Sequence, residues 1–215
     1  MRNLVKGVFV VMALALAGEA RGDEKRWFAD LYIGIAAMKG TTIAATGQPP
    51  IKVDSQQSFI GGGRIGYWLS MKGHSIFEDR IGLGLDVSAF NPANEIHTVV
   101  TTSPLIMLRN PGSTFEPYLG IGPAFPVAKI DVRSGVLSET VRGRGAGVLI
   151  PLGILIKSAN GWEIFTEYRF SRGFLEQDSR GAVRTFIDAL GQEVPETGKV
   201  RATITTHAVV VGIRF

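Results

Sequence analysis

From Trp27 onward, apolar and small or polar residues alternate in stretch after stretch, the period of two that sends successive side chains of an extended chain to opposite faces. The third stretch is the cleanest. Ile81, Leu83, Leu85, Val87 and Ala89 alternate with Gly82, Gly84, Asp86, Ser88 and Phe90. The first sets Trp27, Ala29, Leu31, Ile33, Ile35 and Ala37 against Phe28, Asp30, Tyr32, Gly34 and Ala36. In the second, from Phe59 to Leu69, Gly61, Gly63, Ile65, Tyr67 and Leu69 oppose Ile60, Gly62, Arg64, Gly66 and Trp68. The seventh, from Trp162 to Arg172, opposes Ile164, Thr166, Tyr168 and Phe170 to Glu163, Phe165, Glu167 and Arg169; the eighth opposes Val209, Val211, Ile213 and Phe215 to Ala208, Val210, Gly212 and Arg214. Three less regular strands complete the set, at about 96–109, 117–128 and 145–156. They contain Pro104, Pro123 with Pro126, and Pro151, each of which removes a donor from the ladder. Their register is left open, and a bulge or bend is expected at Pro123 and Pro126. The pattern predicts an all-β chain of eight strands.

The connections alternate in length. Residues 39–57, rich in Thr, Gly, Pro and Gln, read as a long loop, a polar loop follows the fifth strand, and the longest connection runs from Gly173 to Val200. Asn110-Pro111-Gly112-Ser113 is a tight turn, and Lys157 to Gly161 is a short one ending in the Asn-Gly pair that supplies positive φ. With both termini on one side of a barrel, the long connections fall on the other, the asymmetry of transmembrane barrels. A soluble barrel would turn its apolar face inward. Tyr67 and Trp68 are placed at a membrane interface, where amphipathic rings are favoured.

Composition narrows the setting. The 215 residues suit one domain, with a leader ahead of it: Arg2 and Lys6 precede an apolar run from Val8 to Ala17, and Gly18, Ala20 and Gly22 follow. Residues 1–22 read as a signal peptide cleaved after Ala20 or Gly22, and 23–215 as the barrel domain. That run is too short to span a bilayer as a helix, and no later apolar run is long enough for one, so a membrane location requires a closed barrel. The absence of cysteine excludes disulfides, thiolate metal sites and a lipidated Cys. At a net charge of +4, with no basic patch interleaved with aromatics, nothing points to nucleic acid.

Little suggests catalysis. His74, His97 and His207 share no ligand spacing, and His97-Thr98 and His207-Ala208 lack a neighbouring serine. Gly61-Gly62-Gly63 lies inside a strand with no helix after it, so it is not a phosphate loop. No catalytic, cofactor or metal site is expected. The constellation that remains is charge on the interior faces: Asp30, Arg64, Asp86, Glu167 and Arg169. Counted from the turns, they fall at similar heights and are expected to share one layer as a salt-bridged core, because an eight-stranded barrel is just wide enough to be filled by its own side chains. A gated narrow pore is the alternative.

Gly66-Tyr67-Trp68-Leu69, Leu83 to Ser88, Tyr118-Leu119-Gly120-Ile121-Gly122-Pro123, Glu167-Tyr168-Arg169-Phe170 and Val211 to Phe215 together resemble the small eight-stranded outer-membrane barrels related to the transmembrane domain of outer-membrane protein A and the opacity porins. The resemblance implies an antiparallel transmembrane β-barrel in the bacterial outer membrane, with short periplasmic turns and longer extracellular loops. It implies that Val209, Val211, Ile213 and Phe215 form a terminal signal read by the barrel assembly machinery. Lipid and lipopolysaccharide are the implied surroundings, with an extracellular ligand met through the loops. The role it implies is non-enzymatic, structural or surface-interacting; a narrow solute channel or a lipid A-modifying enzyme are the alternatives.

Overall fold

The computed structural model describes residues 26–45, 51–69, 79–92, 96–112, 114–134, 137–157, 162–178 and 199–215. The segment expected to be a signal peptide, the turn at 70–78 and most of the longest connection lie outside them. The strands are β1 (Trp27–Met38), β2 (Thr41–Ala45), β3 (Ile51–Val53), β4 (Gln56–Trp68), β5 (Ile81–Phe90), β6 (Ile96–Arg109), β7 (Phe115–Ser134), β8 (Leu137–Lys157), β9 (Glu163–Asp178) and β10 (Lys199–Arg214). Every pairing is antiparallel, in the order β1-β4-β5-β6-β7-β8-β9-β10, and β10 returns to β1. The eight long strands therefore close into a barrel. Its closing seam is held to the last residue, with Phe215 N–H donating to the Ala29 carbonyl at 3.0 Å.

β2 and β3 are not extra staves. The pairs Thr41 with Val53 and Ile43 with Ile51 continue, without a step, the register of Met38 with Gln56. Along β10 the same strand slips by one residue, since Met38 faces Thr206 but Ile43 faces Ala202. In this irregular stretch Thr41 Oγ1 donates to the Thr203 carbonyl. The loop expected over 39–57 is thus the far part of the first hairpin. The polar loop expected after the fifth strand is likewise paired, out to Ser134 opposite Leu137, and β9 and β10 stay paired to Asp178 opposite Lys199. Where neither face needs to be apolar, alternation disappears from the sequence although the backbone ladder continues.

No bulge marks Pro123 or Pro126. The β7–β8 register is unbroken from Phe115 opposite Ile156 to Ser134 opposite Leu137, and the one irregularity between β6 and β7 lies at Ile96 and Thr98. The prolines are accommodated by what faces them. Thr102 with Phe125 and Ile106 with Ile121 set Pro104 opposite Pro123, so two missing donors coincide at one gap in the ladder. Ser103 Oγ, fully buried, donates to the Pro123 carbonyl there at 2.7 Å. Gly122 lies so close to the Pro104 carbonyl that no β-carbon fits between them. Pro151, pointing inward, faces Gly120, and its Cγ is 2.8 Å from where a β-carbon on that glycine would sit.

Trp68 also departs from expectation. It is buried in the lumen, 5.3 Å from the Phe28 ring, because it shares the inward parity of Arg64 and Gly66 and lies over Gly82, which has no side chain to displace it. Tyr67 does lie at the outer rim, paired with Trp27 at 4.9 Å.

Candidate functional site in the barrel lumen

The register across six adjacent strands lines up charges of alternating sign. Lys157 on β8 is opposite Glu163 on β9, which is opposite Arg214 on β10; Arg214 faces Asp30 on β1, Asp30 faces Arg64 on β4, and Arg64 faces Asp86 on β5. Directly opposed residues of unlike charge attract, and like charges repel. Because barrel strands tilt against the axis, such a row climbs around the wall. It rises from the rim that holds the chain termini to the middle of the lumen.

From across the barrel, β9 sends in Glu167 and Arg169, two residues apart and so on the same face. The Arg64 guanidinium meets both Glu167 oxygens at 2.6 and 2.8 Å, Asp86 at 3.3 Å and Asp30 at 3.5 Å. Arg169 bridges Asp86 at 2.5 Å and Glu167 at 3.1 Å, and Arg214 forks onto Asp30 at 2.7 and 2.9 Å. Two phenols complete the layer: Tyr32 Oη donates to Asp86 at 3.0 Å, and Tyr118 Oη to Glu167 at 2.7 Å. The Arg169 guanidinium stacks 4.4 Å from the Tyr32 ring centre, and that of Arg214 4.2 Å from Phe28. All six charged side chains are buried.

The five charges singled out in the sequence therefore meet in one layer. Sequence reasoning missed Arg214, Tyr32 and Tyr118. Arg214 shares the inward parity of Val210 and Gly212, and two arginines against three carboxylates leave one negative charge unmatched. With Arg214 the layer holds three of each sign.

Nearer the chain termini lies a second cluster. Glu116, fully buried, meets Arg109 at 3.1 Å and Lys157 at 2.9 Å. Arg109 also donates to the Asp79 carbonyl at 2.6 Å and lies 4.2 Å over the Trp68 ring. Trp68, Phe28 and Arg109 stopper that end of the lumen. Of the histidines, His74 lies outside the described residues, as does the side chain of His97, and His207 is on the outer wall with Nδ1 2.6 Å from Tyr168 Oη. Among the described residues no group of His, Cys, Asp and Glu is placed to hold a metal ion. Val209, Val211, Ile213 and Phe215 all face outward beside the seam.

No protein-family profile and no curated protein matches the chain. Among solved structures it is similar to Neisserial surface protein A, with 13% identity, 86% of this chain and 95% of that one covered, and a TM-score of 0.47. It is similar also to the outer membrane protein OprG from Pseudomonas aeruginosa (14% identity, 90% and 98% covered, TM-score 0.48) and to Ail, the attachment invasion locus protein of Yersinia pestis (13%, 89% and 100%, 0.40).

Proposed function

We propose that this chain is an integral protein of the bacterial outer membrane with a non-enzymatic structural or surface-interaction role. The observation that carries the reading is inverted polarity: among the described residues seven charges are buried inside, while large apolar side chains stand exposed around the outer wall, among them Ile33 at 71%, Phe59 at 85%, Ile121 at 53% and Val209 at 59%. Soluble monomers rarely expose apolar patches larger than a few hundred Å2. Here the outward faces of β1, β5 and the terminal halves of the other barrel strands carry no Asp, Glu, Lys or Arg. Closed strands of roughly ten residues are what a hydrocarbon core requires.

Lipid then covers the wall, and lipopolysaccharide surrounds the end where the hairpins project. The terminal face of Val209, Val211, Ile213 and Phe215 serves as the segment recognised by the barrel assembly machinery. The hairpins of β7–β8 and β9–β10, which remain paired beyond the apolar zone, present the surface through which an extracellular ligand is met.

Expression with an epitope inserted near Gln192 tests location and topology together. The expected result is a heat-modifiable band in the outer-membrane fraction and labelling on intact cells. Recovery in the soluble fraction would sink the membrane reading, and labelling only after permeabilisation would reverse the topology.

A further inference from the structure

The outer wall ends differently at its two edges. Toward the chain termini its last outward positions include Trp27, Leu108, Phe115, Ile156 and Phe215, and among the described residues no outward strand position there is charged. Toward the hairpins, on β8, β9 and β10, the wall reaches arginines. The register sets Phe174 between Ala146 and Thr203, and Glu176 between Arg144 and Arg201, with Arg172 two residues before Phe174 and so on the same face. Phe174 is 60% exposed, flanked by small side chains that leave its ring uncovered. Next to Arg172, toward the apolar wall, the His207 ring lies 5.4 Å from Phe170 and 6.1 Å from Tyr168. Rings with a polar tip are favoured where a hydrocarbon core gives way to headgroups.

The charge on this face does not cancel, since three guanidiniums surround one carboxylate. Arg201 approaches Glu176 only to 3.7 Å, with the two side chains 67% and 46% exposed, and such a pair contributes little. Arg144 and Arg172, both exposed, make no ion pair among the described residues. The face therefore suits an anion, and the bare ring of Phe174 decides what else that anion carries. Arginine lays its aliphatic stem on apolar surface and keeps its head in the polar layer, where it meets phosphate in two parallel hydrogen bonds. Arg172, about 7 Å nearer the apolar wall than Phe174, has a stem long enough to bring its head level with that ring. A free phosphate would use the guanidiniums and leave Phe174 in water; a phosphorylated lipid uses both.

We propose that the outward face of β8, β9 and β10 at the hairpin edge is a docking site for a phosphorylated lipid, whose headgroup is held by Arg144, Arg172 and Arg201 while its acyl chains lie against Phe174. This rests on the outer-membrane reading above, which puts these strand ends in the outer leaflet. The opposite edge of the wall, uncharged and partly aromatic, has no counterpart to it.

Titration of the folded barrel in maltoside micelles tests this, with the amide shifts of Ala146, Phe174 and Thr203 as the readout. The probes are diphosphorylated lipid A, the same lipid stripped of phosphate, and inorganic phosphate. Saturable shifts are expected with diphosphorylated lipid A alone. A basic side chain near an anionic surface contributes about fivefold in binding, so Arg144→Gln should weaken it about fivefold and Arg144→Gln with Arg172→Gln about 25-fold. Arg80→Gln, at the terminal rim, should leave it unchanged. Equal binding of the stripped lipid, or saturation by inorganic phosphate as tight as by lipid A, overturns the proposal on the wild type alone, and so does full affinity in the double variant. Binding is read in micelles, so a barrel that selects the phosphorylated lipid but is absent from the outer membrane fails only in its location. One that resides there and ignores the phosphates fails only here.

Discussion

Arg64 is the residue on which the lumen turns, since it alone touches all three carboxylates of the layer. Removing one side of a buried ion pair strands the other, at a cost of about 3–5 kcal/mol. Arg64→Ala is therefore expected to destabilise the barrel by that order. The coupling should be largest with its closest partner: in a double-mutant cycle read by urea unfolding, Arg64→Ala with Glu167→Ala should couple more strongly than Arg64→Ala with Asp86→Ala, because Arg64 meets both Glu167 oxygens at 2.6 and 2.8 Å, whereas Asp86 lies 3.3 Å from Arg64 and makes its shorter contact with Arg169. Equal or absent coupling would mean that Arg64 and Glu167 do not meet. At this scale parity made most of the site legible, because inward charges are few and each must find a partner. Trp68 was the exception: its aromatic character suggested an interface, but its parity and the empty side of Gly82 decided for the lumen.

Among elements, the closing pair β10 and β1 carries the most information. Its register sets Arg214 against Asp30; a slip by two residues, which preserves inward and outward faces, would set Arg214 against Phe28 or Tyr32 instead. The charge row thus discriminates between registers that the apolar faces alone would accept. Arg214→Asp should lower the yield of folded barrel in refolding from urea, and Asp30→Arg in the same chain should restore much of it. No rescue would assign the register to other contacts. Deleting Phe215, which bonds the seam and ends its apolar face, should lower the yield as well, seen as loss of the heat-modifiable band. The number of strands and the cores of five of them were readable from alternation. Their full lengths were not, because the hairpin ends are paired without an apolar face, and the proline strands were obscured because the sequence does not display that Pro104 stands opposite Pro123.

For the whole molecule, the two clusters and the Trp68 stopper fill the lumen from the rim of the chain termini to the ion-pair layer. The fold and its polarity were legible early, since eight alternating strands and a lopsided set of connections admit few architectures. Which face turns outward is not given by alternation, which is the same for an inside-out barrel; the structure shows it, with the charges buried inside and the large apolar side chains exposed outside.

The balance of three arginines against three carboxylates has an electrical consequence. A transmembrane voltage moves a structure by acting on its net charge, at about 2.3 kcal/mol per elementary charge per 100 mV. This layer offers three positive and three negative groups tied to one another, so the field has no net charge there to pull on. In planar bilayers the wild-type barrel should stay closed at both polarities, with no voltage-dependent opening. Glu167→Gln, which leaves one positive charge in excess, should introduce polarity-dependent current steps; its silence would mean that the stopper at Trp68, and not the ion-pair layer, limits conduction.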